Sequence, residues 1–235
     1  MPPDRVPDAQ AGFQYWNDIA ADENGMLGGL PSQPGFESIS RIDLQGSRTF
    51  LARLGIGTKH DRNRVGSALD AGAGIGRISK GLLVKVADEV DIVEPIAKFT
   101  KAIRGHAGIR TISNVALQDW QPGTARYDII WTQWCLGHLT DQQVVLYLRT
   151  CREALTPDGL VVVKENLSTS GSDDFDETDS SVTRQDSKWK SLFHRAGLAV
   201  VRTDEQRGFP ETPGQRLLPV QMYALRPAEE PLAFE

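Results

Sequence analysis

The chain has 235 residues, 40% of them apolar and 24% charged; 26 basic against 31 acidic side chains give a formal net charge of −5. This suits one α/β domain with an extension, or two small domains, with enough apolar mass for a full core. The acidic balance argues against a surface wrapped by nucleic-acid phosphates and leaves room for a basic partner. Cys135 and Cys151 are the two cysteines. They cannot form a disulfide framework or a four-thiolate zinc site, and read as buried free thiols of a reducing compartment. No apolar run approaches the roughly 18 residues of a membrane helix, and Met1 to Gln14 lacks the apolar stretch of a secretory signal. The expectation is a monomer of the cytoplasm, with the nucleus as the second location, and no metal, nucleic-acid or membrane partner.

Residues 1–12 carry three prolines and little apolar mass, and read as a mobile tail. Phe13-Gln14-Tyr15-Trp16 places three aromatics in four residues. A loop over 22–36 holds four glycines and two prolines around Met26 and Leu27, and either covers something or packs on it. Apolar spacing at Ile42, Leu44, Phe50, Leu51 and Leu54 predicts a helix over 41–54, with Ser47 as a break or cap. Strands and helices then alternate. Strands are expected at 65–69, 89–93, 110–114, 127–131 and 160–165, and helices at 75–86, 96–105 and 141–154. A helix over 189–196 and strands at 198–201 and 220–225 complete the pattern. Strands separated by helices mean a parallel sheet covered on both faces. The expected organisation is a tail (1–12), an extension over the active site (13–60), the main domain (61–227) and a loose acidic tail (228–235).

The strongest local signal is Asp70-Ala71-Gly72-Ala73-Gly74-Ile75-Gly76-Arg77, between a strand and a helix. Glycines there tolerate positive φ and let the backbone approach a ligand. Glu94 ends the next strand about 20 residues on, the place for a carboxylate that binds ribose hydroxyls. A dinucleotide fingerprint would put its third glycine at 77, where this chain has Arg. The run looks instead like the first motif of S-adenosylmethionine (SAM) methyltransferases, whose doubly wound sheet usually carries a seventh, antiparallel strand. A packing turn with no ligand is the structural alternative. Leu117-Gln118-Asp119-Trp120 falls where many such enzymes contact adenine.

Open α/β sheets bind ligands outside the carboxyl ends of their strands. That edge receives Gln133, Trp134 and His138 from the fourth strand, Glu165 and Asn166 from the fifth, and then five acids within residues 173–179. An amine acceptor must be neutral to attack, and a model α-amine, with pKa ~8, loses its proton more easily than a Lys ammonium at ~10.4. His138 or Asp179 is placed as the base. Asn166 would orient the nitrogen, and Trp134, Trp16 and Tyr15 would wall a cationic site. Each also has a plain structural reading: a satisfied loop histidine, an aromatic anchor for the tail, a solvated charge run.

Taken together, these residues resemble the eukaryotic protein N-terminal methyltransferases, from about Tyr15 to Arg226. The specific pieces include Lys164-Glu165-Asn166, and the narrowest are Gln133-Trp134 with Gly137-His138-Leu139-Thr140-Asp141, and Asp179-Ser180-Ser181. The resemblance implies a Rossmann-like seven-stranded methyltransferase sheet with an N-terminal helical extension. It implies transfer of methyl groups from SAM, leaving S-adenosyl-L-homocysteine, to the α-amine of proteins beginning Xaa-Pro-Lys or Xaa-Pro-Arg once the initiator Met is removed. N-terminal tails of basic proteins, ribosomal or chromatin proteins among them, would be the partners. Gly72, Gly74, Arg77, Glu94, Leu117, Gln118 and Gln133 would bind SAM, with Arg77 on its carboxylate. Asn166 and Asp179 would hold the α-amine, with Asp179 or His138 as base. Tyr15, Trp16, Leu27, Trp134 and Ser181 would line the peptide site, and Asp176, Glu177 and Asp179 would attract the basic third residue. Three departures stand out: Glu94 where Asp is common, the insert Leu30–Glu37, and Leu217-Leu218-Pro219 where an aromatic is usual. Methylation of lysine side chains or small amines, and a non-catalytic SAM- or peptide-binding module, are the competing readings.

Overall fold

The computed structural model describes residues 6–214 and 216–229; residues 1–5 and 230–235 of the expected tails lie outside the described residues. The chain opens with helix α1 (Ala9–Asp18), capped by the Asp8 carboxylate, which accepts from Ala11 N at 2.8 Å. Residues 9–12, expected as tail, are its first turn. A short helix α2 (Glu23–Met26) lies in the glycine loop, and α3 (Ile39–Ala52) follows. Ser47 neither breaks nor caps α3, because its hydroxyl donates back to the Asp43 carbonyl.

From residue 65 the alternation is β1 (Val65–Ala71), a helix over 77–86, β2 (Ala87–Val93), a short α5 (Ala97–Thr100), β3 (Ile109–Ser113), β4 (Tyr127–Gln133), α6 (Asp141–Glu153) and β5 (Leu155–Asn166). The helix over 77–86 has a π-helical stretch, Ser79–Leu83, and ends as α4 (Val84–Val86). Then come β6 (Asp174–Asp176), β7 (Ser181–Thr183), α7 (Asp186–Arg195), β8 (Leu198–Glu205) and β9 (Val220–Pro227). Thr140 starts α6 with a reciprocal capping box to Gln143. β5 begins five residues earlier than expected, through an irregularity at Pro157-Asp158-Gly159. Gly159 permits it, since a Cβ there would stand 2.7 Å from the Tyr127 carbonyl.

The sheet order is β3-β2-β1-β4-β5-β9-β8, with β9 antiparallel to both of its neighbours. This is the expected seven-stranded methyltransferase arrangement. Its strands alternate between two apolar cores. Leu69, Ile130, Val161, Val163 and Tyr223 face α6 and α7, while Ala68, Ile129, Trp131, Val162 and Met222 face α3 and the 77–86 helix. Phe50 and Leu51 of α3 belong to that second core. The boundary expected near residue 60 therefore falls inside one packed unit, and α3 is a layer of the domain. Cys135 is half-buried and Cys151 buried, both as free thiols. Among the described residues no helix is long and apolar enough to cross a membrane.

Candidate active site

β1 delivers its C-terminal end into the glycine turn, where Gly72 and Gly74 have φ of 75° and 55°. A Cβ on Gly72 would stand 2.5 Å from Cys135 Sγ, and one on Gly74 2.6 Å from Met26 Sδ. Only glycine meets both the backbone and the space requirement. From the end of β2, Glu94 reaches back: Oε2 accepts from Gly74 N at 2.8 Å and Oε1 from Ile96 N at 2.7 Å. Burial pushes this carboxyl up to about 7. Asp70, buried beside it, is pushed up to about 6 by burial although Ser79 Oγ donates to it at 2.5 Å.

These groups border a cavity of about 180 Å³ at the carboxyl ends of β1, β2 and β4. Ile96, Phe99 and Leu117 supply an apolar wall with Gln118 beside it; Trp134, Cys135 and His138 stand opposite. Gly12, Phe13 and Trp16 of α1, with Met26, complete the lining. All seven expected cofactor residues line it: Gly72, Gly74, Arg77, Glu94, Leu117, Gln118 and Gln133. Gln133 is already committed, however. Its Nε2 donates to both Asp43 oxygens, at 3.0 and 3.1 Å, and its Oε1 accepts from Trp131 Nε1 at 3.1 Å.

Of the expected substrate residues, Trp16 and Trp134 line this cavity, together with His138. Trp16 Nε1 donates to His138 Nε2 at 2.8 Å. Indole N–H is a donor only, so Nε2 is unprotonated and the ring proton sits on Nδ1. Burial lowers the pKa of His138, against the pull of the Asp179 charge. Burial likewise raises that of Tyr15, assisted by the charges of Asp179 and Asp176. Among the described residues, two buried side-chain atoms here lack a hydrogen-bond partner, Trp134 Nε1 and Asp179 Oδ1. Buried polar atoms are rarely left so, and their concentration marks a place built for a polar group from outside. Asn166 ends β5 opposite Val220, at the same edge of the sheet.

Trp134 holds φ 54°, an uncommon conformation for a bulky residue. Its backbone is pinned on both sides. Its own N–H donates to the Lys164 carbonyl at 3.1 Å, and Glu165 Oε1 accepts from Cys135 N and Leu136 N, both at 3.0 Å. Leu27 packs in a small apolar cluster with Phe36 and Ile39, against which Trp134 and Leu217 also lie. Leu217, from the segment expected to lack an aromatic, thus packs on the same cluster as Trp134.

The acidic run is divided. Asp173 accepts from Gln185 N and pairs with Lys188, and Asp174 accepts from Ser168 and Ser170. Asp176 and Glu177 are exposed at the turn of the β6–β7 hairpin, where Asp176 pairs in register with Ser181. Asp43 and Phe99 border or support the site and carry no signal in the sequence, while Lys164 and Met26 stand there only as members of a motif and of the glycine loop, with no role attached.

The family model described as AdoMet dependent proline di-methyltransferase matches residues 6–226. The chain belongs to this family. It is 46% identical over 217 residues to the alpha N-terminal protein methyltransferase 1 of Schizosaccharomyces pombe, covering 92% of this chain and 94% of that one. It is 42% identical to the N-terminal Xaa-Pro-Lys N-methyltransferase 1 of Danio rerio, covering 84% and 87%. A solved SAM-dependent methyltransferase of Leishmania major superposes with a TM-score of 0.81 at 33% identity, over 93% of this chain and 82% of that one. The protein is a SAM-dependent methyltransferase. The cavity fits that cofactor: a cradle that a Cβ would fill at Gly72 and Gly74, a carboxylate at Glu94 for hydroxyl groups, and an apolar wall for a planar base.

Proposed function

We propose that this methyltransferase methylates the α-amine of protein N-termini beginning Xaa-Pro-Lys or Xaa-Pro-Arg. The observation that carries the reading is the buried, unpartnered Asp179 Oδ1, set between the cavity-lining His138 and the exposed acids of the hairpin. SAM, when bound, supplies a methyl group already activated on a sulfonium, so the protein's task is chiefly positioning.

Glu94, with Gly72 and Gly74, would hold the ribose side; Leu117 and Gln118 the base; and Arg77 the carboxylate of the cofactor. Asp179 holds the incoming α-ammonium and takes its proton. His138 is poorly placed for that step, because the Trp16 N–H occupies its Nε2 lone pair and its remaining ring nitrogen carries the proton. Its role is to fix the wall beside Asp179. Asn166 orients the nitrogen from the end of β5. Trp134, stiffened by Glu165 behind it, offers an indole face to the proline at position two, with Leu27 and Leu217 behind. Asp176 and Glu177 draw the basic residue at position three.

The test uses labelled SAM with Ser-Pro-Lys peptides, free and α-acetylated, and a Ser-Ala-Lys peptide, followed by mass spectrometry. Label on the free Ser-Pro-Lys terminus alone supports the proposal. Label on lysine, or equal label on all three peptides, overturns it.

A further inference from the structure

Against the cavity on its α3 side lies a buried charge cluster assembled from three distant parts of the chain. Asp43 of α3 is fully buried. Its carboxylate accepts from Arg77 Nη1 at 2.7 Å, from Lys164 Nζ at 2.6 Å and from Gln133 Nε2 at 3.0 Å. Lys164 is fully buried as well, and its ammonium also donates to Ser47 Oγ at 3.0 Å and Gln206 Oε1 at 2.7 Å. Every proton of that ammonium is spent inside the cluster, and Lys164 does not line the cavity. Arg77 does line it, with its guanidinium 5.6 Å from the centroid of the Trp134 ring.

The arithmetic of charge is unusual: within the cluster two cations share one anion, and Asp70, which also feels the charge of Arg77, is the same in every protein compared below. An arginine paired only with an aspartate forms a neutral pair whose field falls away quickly. The second cation changes this. We propose that Lys164 is a positioning residue that sets the charge of the cofactor site. Asp43 orients Arg77, and Lys164 cancels the charge of Asp43, so that Arg77 stays net positive toward the cavity. The group that benefits is the carboxylate of SAM; the inference rests on the reading of Arg77 as its partner.

Two further observations agree. Burial lowers Lys164 to about 8, with Asp43 opposing the shift, so the lysine is still charged at neutral pH. The pull of Lys164 and Arg77 outweighs burial at Asp43, whose pKa is lowered, so the carboxylate is charged too. The fold also makes room for the arrangement: a Cβ on Gly46 of α3 would stand 2.0 Å from the Gln206 Oε1 that receives Lys164.

The experiment is calorimetric binding of SAM and of decarboxylated SAM, which lacks only the carboxylate. The proteins are wild type, Lys164→Met, and the double variant Asp43→Asn with Lys164→Met. Wild type is expected to prefer SAM by at least about tenfold. Lys164→Met leaves Asp43 and Arg77 as a neutral pair and is expected to lose that preference, to within about twofold. The double variant carries the charge of Arg77 alone and is expected to regain it. A purely structural role predicts equal loss of both ligands in the single variant and no recovery in the double, and overturns the proposal. So does a Lys164→Met protein that keeps the wild-type preference. Absence of any preference in wild type overturns the Arg77 reading first, and the proposal with it. Thermal melts accompany each titration. If Lys164→Met does not fold, Lys164→Gln replaces it, neutral but able to bond Asp43 and Ser47.

Discussion

Trp16 and His138 are joined by a hydrogen bond of 2.8 Å from indole N–H to imidazole Nε2, linking two residues 122 positions apart. The bond sets the tautomer of the histidine and fastens α1 to the loop after β4. Burial and this bond both favour the neutral ring. In an NMR titration, His138 is expected to protonate below the usual histidine range, and Trp16→Phe is expected to move it upward. Loss of one such bond is worth roughly a tenfold fall in kcat/KM. A ring found charged at pH 7 in wild type would contradict the geometry.

Asp179→Asn is expected to lower kcat by at least about a hundredfold, the scale of a lost acid–base partner. Its dissociation constant for SAM should stay within about twofold, because Asp179 does not line the cofactor cavity. His138→Gln should cost less in kcat. A reversed order in single-turnover kinetics would return the role of base to the histidine.

Gly72→Ala is expected to lower SAM affinity by more than about tenfold, through the left-handed φ and the approach of Cys135 Sγ to 2.5 Å. Calorimetry reads the affinity, and circular dichroism checks that the sheet persists. Unchanged affinity would show that the turn accommodates a side chain beside Cys135.

The buried carboxyls make a pH prediction. Burial pushes Asp70 up to about 6 and Glu94 and Glu165 up to about 7. A carboxyl whose pKa is raised on folding stabilises fully below its unfolded pKa, and that contribution is lost as pH rises through the folded value. His138, lowered by burial, acts in the opposite sense but is one group against three. The cofactor-free protein should therefore melt roughly 5 °C higher at pH 5.5 than at pH 7.5. Calorimetry at several pH values measures this, and a melting temperature that rises with pH would refute it.

The sheet and the glycine turn were legible because their signals are local. The apolar runs around Leu69, Ile130 and Val162 and the Asp70–Arg77 turn lie within a few residues of one another. Asp43 was not legible. On an amphipathic helix it looks like an ordinary solvent-facing acid; its meaning comes from Arg77, 34 residues away, and Lys164, 121 residues away. Lys164 likewise ends an apolar strand whose neighbours give no hint that the ammonium is enclosed. The run over 173–179 was read by its charge, yet pairing of Asp174 with Thr183 and of Asp176 with Ser181 folds part of it into a hairpin. The helix over 9–18 escaped notice because the prolines and small residues before Phe13 suppress any local helical pattern.

That helix is held from outside itself. The Asp8 N–H donates to Ser180 Oγ at 2.8 Å at one end, His138 holds the middle, and Lys98 Nζ donates to the carbonyls of Asn17 and Ile19 at the other. Ten residues alone are too few to stay helical in water. All three moorings come from residues later in the chain than the helix, and they meet only when the sheet edge is assembled. Helix α1 thus depends on a sheet edge already in place, and the exchange rate of its amide protons is a gauge of how complete the rest has become.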